Sequence, residues 1–255
     1  MIETLTVCSV VEYIEKIESF SPAYSLSRGQ GDDRPLLPSA LRCDPDGMRY
    51  FSKADSQAFL EDFKANSSLY IEAAASYNEN DWLIHAQHFG VPTCLLDFTY
   101  SHLVSLMFAL EKAFDYADED EDNAVVWLLN PEACNLSTIG RKNIVNLSEE
   151  QPHIIKGFEQ PFVVTARKNN PRMAAQNGLF VYFQNDAIPL EKVENSETFL
   201  KKIMIPHSYA KIMLRTLYTL GMRFSGIYPE LSSISKDIIL KNKVIESYRQ
   251  EVKDE

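Results

Sequence analysis

The run Ala124 to Leu129 (AVVWLL), stopped by Asn130 and Pro131, narrows most what this chain can fold into. An unbroken apolar stretch of this length, rich in β-branched and aromatic residues and closed by turn formers, reads as a buried strand. A buried strand needs neighbours on both sides. The sequence offers them at Ala23 to Ser27, Thr93 to Phe98 (TCLLDF), Pro161 to Ala166, Leu179 to Gln184 and Lys202 to Ile205 (KIMI).

Between these strands lie helical patterns. Val10, Val11, Ile14 and Ile17 recur at helical spacing after Ser9, which suits an N-cap. Good helix formers fill Asp55 to Tyr77, and Trp82, His85, Ala86 and Phe89 mark a further helix ended by Gly90 and Pro92. Ser101 is placed to cap HLVSLMFALEKAF. Pro206 suits a helix start, with the end near Gly221. A last helix has Ile234, Ile238, Leu240, Val244 and Ile245 as one apolar face. Gly29 and Gly31 are expected to interrupt regular structure after the first strand, and Pro35, Pro38, Pro45 and Gly47 to keep the next stretch irregular. The reading is one α+β domain over 1–255, without a repeat or a linker.

At 45% hydrophobic and 24% charged residues the chain has the material for a core. The net charge of −11, with no dense Lys/Arg stripe, disfavours tight non-specific binding to a nucleic-acid backbone. Part of the acidity sits in Asp115 to Asp122 (DYADEDED), which reads as a solvated loop. The N-terminus lacks the pattern of a secretory signal, no apolar run is long enough to span a membrane, and Cys8, Cys43, Cys94 and Cys134 are too scattered for a zinc ribbon. These features lead to the expectation of a cytoplasmic protein with reduced thiols and no membrane partner.

Common catalytic signatures are missing: no Gly-x-x-x-x-Gly-Lys phosphate loop, no Gly-x-Gly-x-x-Gly, no His-Glu-x-x-His and no Gly-x-Ser-x-Gly. His85 and His88 lie three apart, but the spacing suggests no third metal ligand, and packing or capping explains them better. What stands out instead is Arg28 between Ser27 and Gly29. Its planar fork can grip phosphate or ribose oxygens, and Gly29 and Gly31 let backbone approach a ligand. A salt bridge from Arg28 to Asp97 that merely ties two strands together is the competing reading.

Four islands occur in order: Ser27-Arg28-Gly29-Gln30; Leu36-Leu37-Pro38-Ser39-Ala40-Leu41-Arg42; Gln87-His88-Phe89-Gly90-Val91-Pro92-Thr93-Cys94-Leu95-Leu96-Asp97-Phe98-Thr99; and Asn170-Pro171-Arg172 with Gln176-Asn177-Gly178-Leu179-Phe180. Together they resemble the FRG domain family, from about Ala23 to Asp237. Three positions depart from it: Ser27 stands where the family has Phe, Cys94 where Arg is usual, and Phe98 where Trp is common. The loss of Phe at 27 is expected to weaken packing beneath the arginine.

The resemblance implies a fold similar to ADP-ribosyltransferases, with a split mixed β-sheet core, helical insertions and a C-terminal helix. It implies NAD as substrate and no metal. In that comparison Arg28 on the first strand is the first motif, Thr93 or Thr99 supplies the second, and Glu230 in Gly226-Ile227-Tyr228-Pro229-Glu230 is the catalytic carboxylate. Gly29, Gln30, His88, Thr93 and Asp97 would complete the NAD contacts, and Arg172 would meet a phosphate or anchor a loop. The implied activity is transfer of ADP-ribose to a macromolecular acceptor, protein or nucleic acid, by a toxin-like or phage-defence effector with a neutralising protein partner. Two alternatives remain open: a non-catalytic nucleotide- or protein-recognition domain, and an NAD glycohydrolase. Glu230 also reads as an ordinary first-turn acid, and His88 as a helix cap.

Overall fold

The computed structural model describes residues 1–71, 76–117, 120–149, 155, 157–166, 178–184 and 188–254, with 251–254 described by backbone alone. Eight strands form one open mixed sheet: β1 (Glu3–Thr6), β2 (Leu26–Gln30), β3 (Leu95–Thr99), β4 (Asn123–Leu129), β5 (Val145–Asn146), β6 (Phe162–Thr165), β7 (Gly178–Tyr182) and β8 (Leu200–Pro206). Their spatial order is β1-β8-β4-β2-β3-β7-β6-β5. The outermost pairs, β1 with β8 and β5 with β6, are parallel, and every pair between them is antiparallel.

β4 is the axis the apolar run demanded: only Asn123 of its seven residues is even partly exposed. Its side chains alternate between two cores. Ala124, Val126 and Leu128 face a helical layer made of α1 (Val10–Ser19), α4 (His102–Ala109), α6 (His207–Thr219), α7 (Phe224–Ile227) and α8 (Leu231–Asp254). Val125, Trp127 and Leu129 face the opposite core, built with Leu26, Leu36, Leu41, Leu96 and Phe199. A smaller cluster under β6 gathers Phe162 and Val164 with Ile84 of α3 (Glu79–His88).

Local chemistry sets the helix ends. Ser9 accepts from Glu12 N, Ser101 from Val104 N at 3.4 Å, and Ser52 and Asn78 form capping boxes for α2 (Lys53–Ser67) and α3. Gly90 and Gly221 follow α3 and α6 in the left-handed region, at φ 82° and 93°, where glycine carries no Cβ penalty.

Several sequence expectations are corrected. The first strand runs Leu26–Gln30, not Ala23 to Ser27, so Arg28 and Gly29 lie inside a strand instead of after it. Asn130 and Pro131 end β4 but also start a helix: Asn130 caps α5 (Pro131–Ile139) with Pro131 at its first position. In α1 the buried face is Val10 and Tyr13, while Val11 and Ile14 are exposed. The last helix buries Leu240 and Val244 and leaves Ile234, Ile238 and Ile245 on the outside, so its apolar residues do not share one face. β1 and β5 were not anticipated. Among the described residues no helix is long and apolar enough to cross a membrane. Asn170, Arg172 and Asn177 lie outside the described residues.

Candidate functional site

β2 pairs with β4 over five residue positions, but it meets β3 at one, Ser27 opposite Thr99. Beyond that pair the two strands share no register, and a cavity of about 520 Å³ opens between them. Ser27, Arg28 and Gly29 of β2, Asp97, Phe98 and Thr99 of β3, Gln87 to Gly90 at the end of α3, Val104, Ser105 and Phe108 of α4, and Tyr228 line it. A cavity of this size fits a small-molecule ligand.

Gly29 explains how α4 reaches the floor. A Cβ there would stand 1.9 Å from Ser105 O and 2.7 Å from Ala109 N, so only glycine lets the helix backbone lie directly on the strand. Ser27 does not leave a gap where the family has Phe. It is fully buried, and its Oγ lies 2.8 Å from Ser105 Oγ and 2.8 Å from His102 Nδ1. A polar knot of three side chains thus replaces an aromatic ring, and burial holds the His102 imidazole below its ordinary pKa.

Arg28 bridges the opening. Its Nη1 donates to Asp97 O at 2.9 Å and its Nε to Gln30 Oε1 at 3.3 Å, while Nη1 lies 3.9 Å from Asp97 Oδ2. The guanidinium therefore serves a strand carbonyl that has no register partner on β2. Burial lowers the Arg28 pKa to about 10, against the restoring charge of Asp97, so the group stays cationic at neutral pH. The contact with Asp97 expected from sequence is present, and the same side chain lines the cavity.

Asp97 is held from the other side. Gln87 Nε2 donates to Asp97 Oδ2 at 2.7 Å, and Gln87 Oε1 accepts from the Thr93 hydroxyl. Thr93 Oγ1 also accepts from Leu95 N at 3.2 Å, while Thr93 O receives Ala40 N at 3.3 Å. The second and third sequence islands are thereby fastened together and aimed at the arginine. An aromatic wall completes the space: the Phe108 and Tyr228 rings are 5.4 Å apart, and Phe89 stands largely exposed at the rim.

Of the residues singled out from sequence, Arg28, Gly29, His88, Asp97 and Thr99 line the cavity. Thr99 is buried, and its Oγ1 accepts from Ser101 N at 3.1 Å. Thr93 and Gln30 stand behind the lining: Thr93 steadies Gln87, and Gln30 is buried with Nε2 on Arg34 O at 2.9 Å. Glu230 is not part of the lining. Its carbonyl accepts from Ser233 N and Ile234 N at the start of α8, and its carboxylate accepts from the Ser232 hydroxyl, two residues beyond Tyr228. Among the described residues no group of three or more His, Cys, Asp or Glu is placed to hold a metal ion; His85 Nε2 instead sits 2.7 Å from the Tyr77 hydroxyl.

Sequence reasoning passed over Gln87, Phe89, Phe108 and Tyr228 as site residues. Gln87 and Phe89 lay within the third island, and Tyr228 within the stretch chosen for Glu230. Phe108 carried no signal beyond its place in an apolar helix. Cys94, in place of a family arginine, is partly buried and faces Tyr182, and desolvation pushes its thiol up to about 11.

Residues 24–118 match the family model described as FRG domain, a stretch that holds β2, α3, β3 and α4 and three of the four islands. Searches of curated proteins and of solved structures gave no match. Residues 24–118, the part of the chain similar to FRG domains, supply the whole cavity lining except Tyr228.

Proposed function

We propose that the cavity binds NAD and that the protein transfers its ADP-ribose to a macromolecular acceptor. One observation carries this reading: a largely buried, charged arginine shares one cleft with a carboxylate and an aromatic wall, where two strands part. NAD needs those three things. Its pyrophosphate needs positive charge in fixed geometry, its rings need flat apolar surfaces, and its ribose hydroxyls need acceptors. We include in the proposal a likeness to ADP-ribosyltransferases, which an arginine on a strand where β2 and β3 part supports.

The chemistry follows from the leaving group. Nicotinamide departs as a neutral base when the C–N glycosidic bond breaks, so the step needs stabilisation of an oxocarbenium-like ribose and no metal. Arg28 would anchor the phosphates, with Gly29 and Gln30 beside it. Thr99 and Asp97 would flank the nicotinamide ribose, His88 and Phe89 would meet the nicotinamide end, and Thr93 would act through Gln87. Glu230, at the cap of α8 next to Tyr228, would take the proton of the attacking acceptor. Acceptor identity, protein or nucleic acid, and a neutralising partner for a toxin-like or phage-defence effector belong to the same proposal.

A second reading is recognition or hydrolysis of a nucleotide without transfer. It is favoured by Asp97 being the lining carboxylate while Glu230 stands outside. Nicotinamide release and incorporation of labelled ADP-ribose into a cell lysate separate these outcomes for the wild type, Arg28→Ala, Glu230→Ala and Asp97→Asn. Label transfer lost in Arg28→Ala and Glu230→Ala supports the transferase with both roles. Nicotinamide release without label transfer makes it a glycohydrolase. If folded wild type does neither, the enzyme reading is wrong and recognition takes its place.

A further inference from the structure

The last helix, α8, presents two stripes, and the fold uses the first. Leu240 and Val244 are buried in one cluster with Met213 and Leu217 of α6 and Phe224 and Ile227 of α7. Asp237, on the same side, accepts from Phe224 N at 2.7 Å and Ser225 N at 3.0 Å. On the far flank Lys236 reaches Glu111 and Lys243 reaches Asp115, each at 2.6 Å. These contacts fix the rotation of the helix about its own axis, so the second stripe is held outward.

That second stripe is Leu231, Ile234, Ile238, Lys241, Ile245 and Tyr248, all exposed, with Leu231 at 84% and Ile238 at 66%. The intervals alternate between three and four residues, and Val252 continues them in the sequence. This is the a and d spacing of a coiled-coil seam, a narrow apolar line that needs another helix against it.

The seam fits a second copy of itself. Its intervals read the same from either end, so two α8 helices turned end for end match position by position. A twofold axis between Ile239 and Leu240 brings Leu231 level with Tyr248 of the second copy, Ile234 with its Ile245, and Ile238 with its Lys241. Lys241 sets the direction. In a parallel pair it would meet the same lysine, two like charges in one layer, whereas the antiparallel pair lays its stem along Ile238 of the second copy and puts its ammonium one residue from Asp237 there. The exposed seam side chains offer on the order of 500 Å² per copy, so the pair would cover about 1,000 Å², the lower bound for a stable interface.

We propose that the protein forms an antiparallel homodimer through the outward seam of α8. The proposal is independent of what the cavity binds.

Sedimentation equilibrium of the full chain across micromolar concentrations, for wild type, Ile238→Asp and Leu136→Asp, is the test. Wild type should reach twice the mass of the chain. Ile238→Asp puts a carboxylate at the middle of the seam and should weaken the dimer at least about 100-fold, as burial of an unpaired charge does. Leu136→Asp, at an exposed leucine of α5, should leave it unchanged. Ile238 is exposed in the single copy, so circular dichroism melts of dilute Ile238→Asp should match those of wild type. Direction is read in a Cys8→Ser, Cys43→Ser background: proteins carrying Leu231→Cys and Tyr248→Cys should join through a short thiol cross-linker when mixed, and neither should join to itself. Wild type that stays monomeric, a dimer that survives Ile238→Asp, or either cysteine protein cross-linking to itself overturns the proposal.

Discussion

On either side of β2 the sheet behaves in opposite ways. Toward β4 and on to β8 the ladders are continuous, over five and seven residue pairs, and the side chains of β4 between them are almost wholly apolar and buried. Toward β3 there is one pair, and next to it come a guanidinium, a carboxylate and a glutamine. Where backbone satisfies backbone, the sequence is free to be oily. Where the strands part, exposed carbonyls need side-chain donors, and the space between them becomes a site. Ser27 sits on the border, in the ladder by its backbone and in a polar knot by its hydroxyl.

The sharpest way to break this contrast is to remove the bridging cation. Arg28→Ala should lower NAD affinity by at least about 100-fold, since a largely buried charge-assisted contact is lost, and should destabilise the fold by about 1–3 kcal/mol because Asp97 O loses its donor. Ligand titration and denaturant midpoints read the two effects separately. A variant that loses neither would make the arginine ornamental.

Next in size is the helix contact on the closed side. Gly29→Ala puts a methyl group 1.9 Å from Ser105 O, so α4 must move, and a loss of about 3 kcal/mol is expected from overpacking. Gly31→Ala, two residues on, meets the Tyr116 hydroxyl at 3.0 Å, the end of a side chain, and Ala109 O at an ordinary contact distance of 3.7 Å, and should cost less than about 1 kcal/mol. Urea unfolding of the pair tests whether the close approach is specific to Gly29.

Smaller changes sharpen the border between the two regions. Ser27→Ala removes a hydroxyl bonded to Ser105 and His102 and should cost about 1 kcal/mol, with ligand affinity little altered. Gln87→Leu frees the Asp97 carboxylate and should weaken ligand binding severalfold while the melting temperature barely changes.

The smallest effect expected is on pH dependence. His102 and His85 both have pKa values lowered by burial, so the unfolded chain binds protons that the folded chain resists. Their contribution to stability is complete above the ordinary histidine pKa and is lost as pH falls below about 6.5 toward the lowered values. Melting curves between pH 7.5 and 5 should show the decline, and His102→Gln should flatten it.

Much of the sheet could be read from sequence because its strands announce themselves chemically. AVVWLL could hardly be anything but a buried strand, and Ser101 and Gly90 marked helix ends correctly because caps act locally. Gly29 misled for the opposite reason. A glycine in sequence signals freedom of the chain, yet here it serves close approach of a helix eighty residues away, which no local pattern records. Asn130 and Pro131 were read as a stop when the same pair also starts a helix. β1 was missed because an edge strand paired only with β8 need not be strongly apolar. At the site, Arg28, Asp97 and Thr99 were visible as motif residues, whereas Phe108 and Tyr228 reach the cavity only through tertiary packing.

The most direct test is the binding of NAD itself, titrated into folded wild type and Arg28→Ala under identical conditions. Saturable binding by wild type that Arg28→Ala loses is the result expected of a nucleotide site built where β2 and β3 part. Failure of wild type to bind NAD, or equal binding by both proteins, would contradict it.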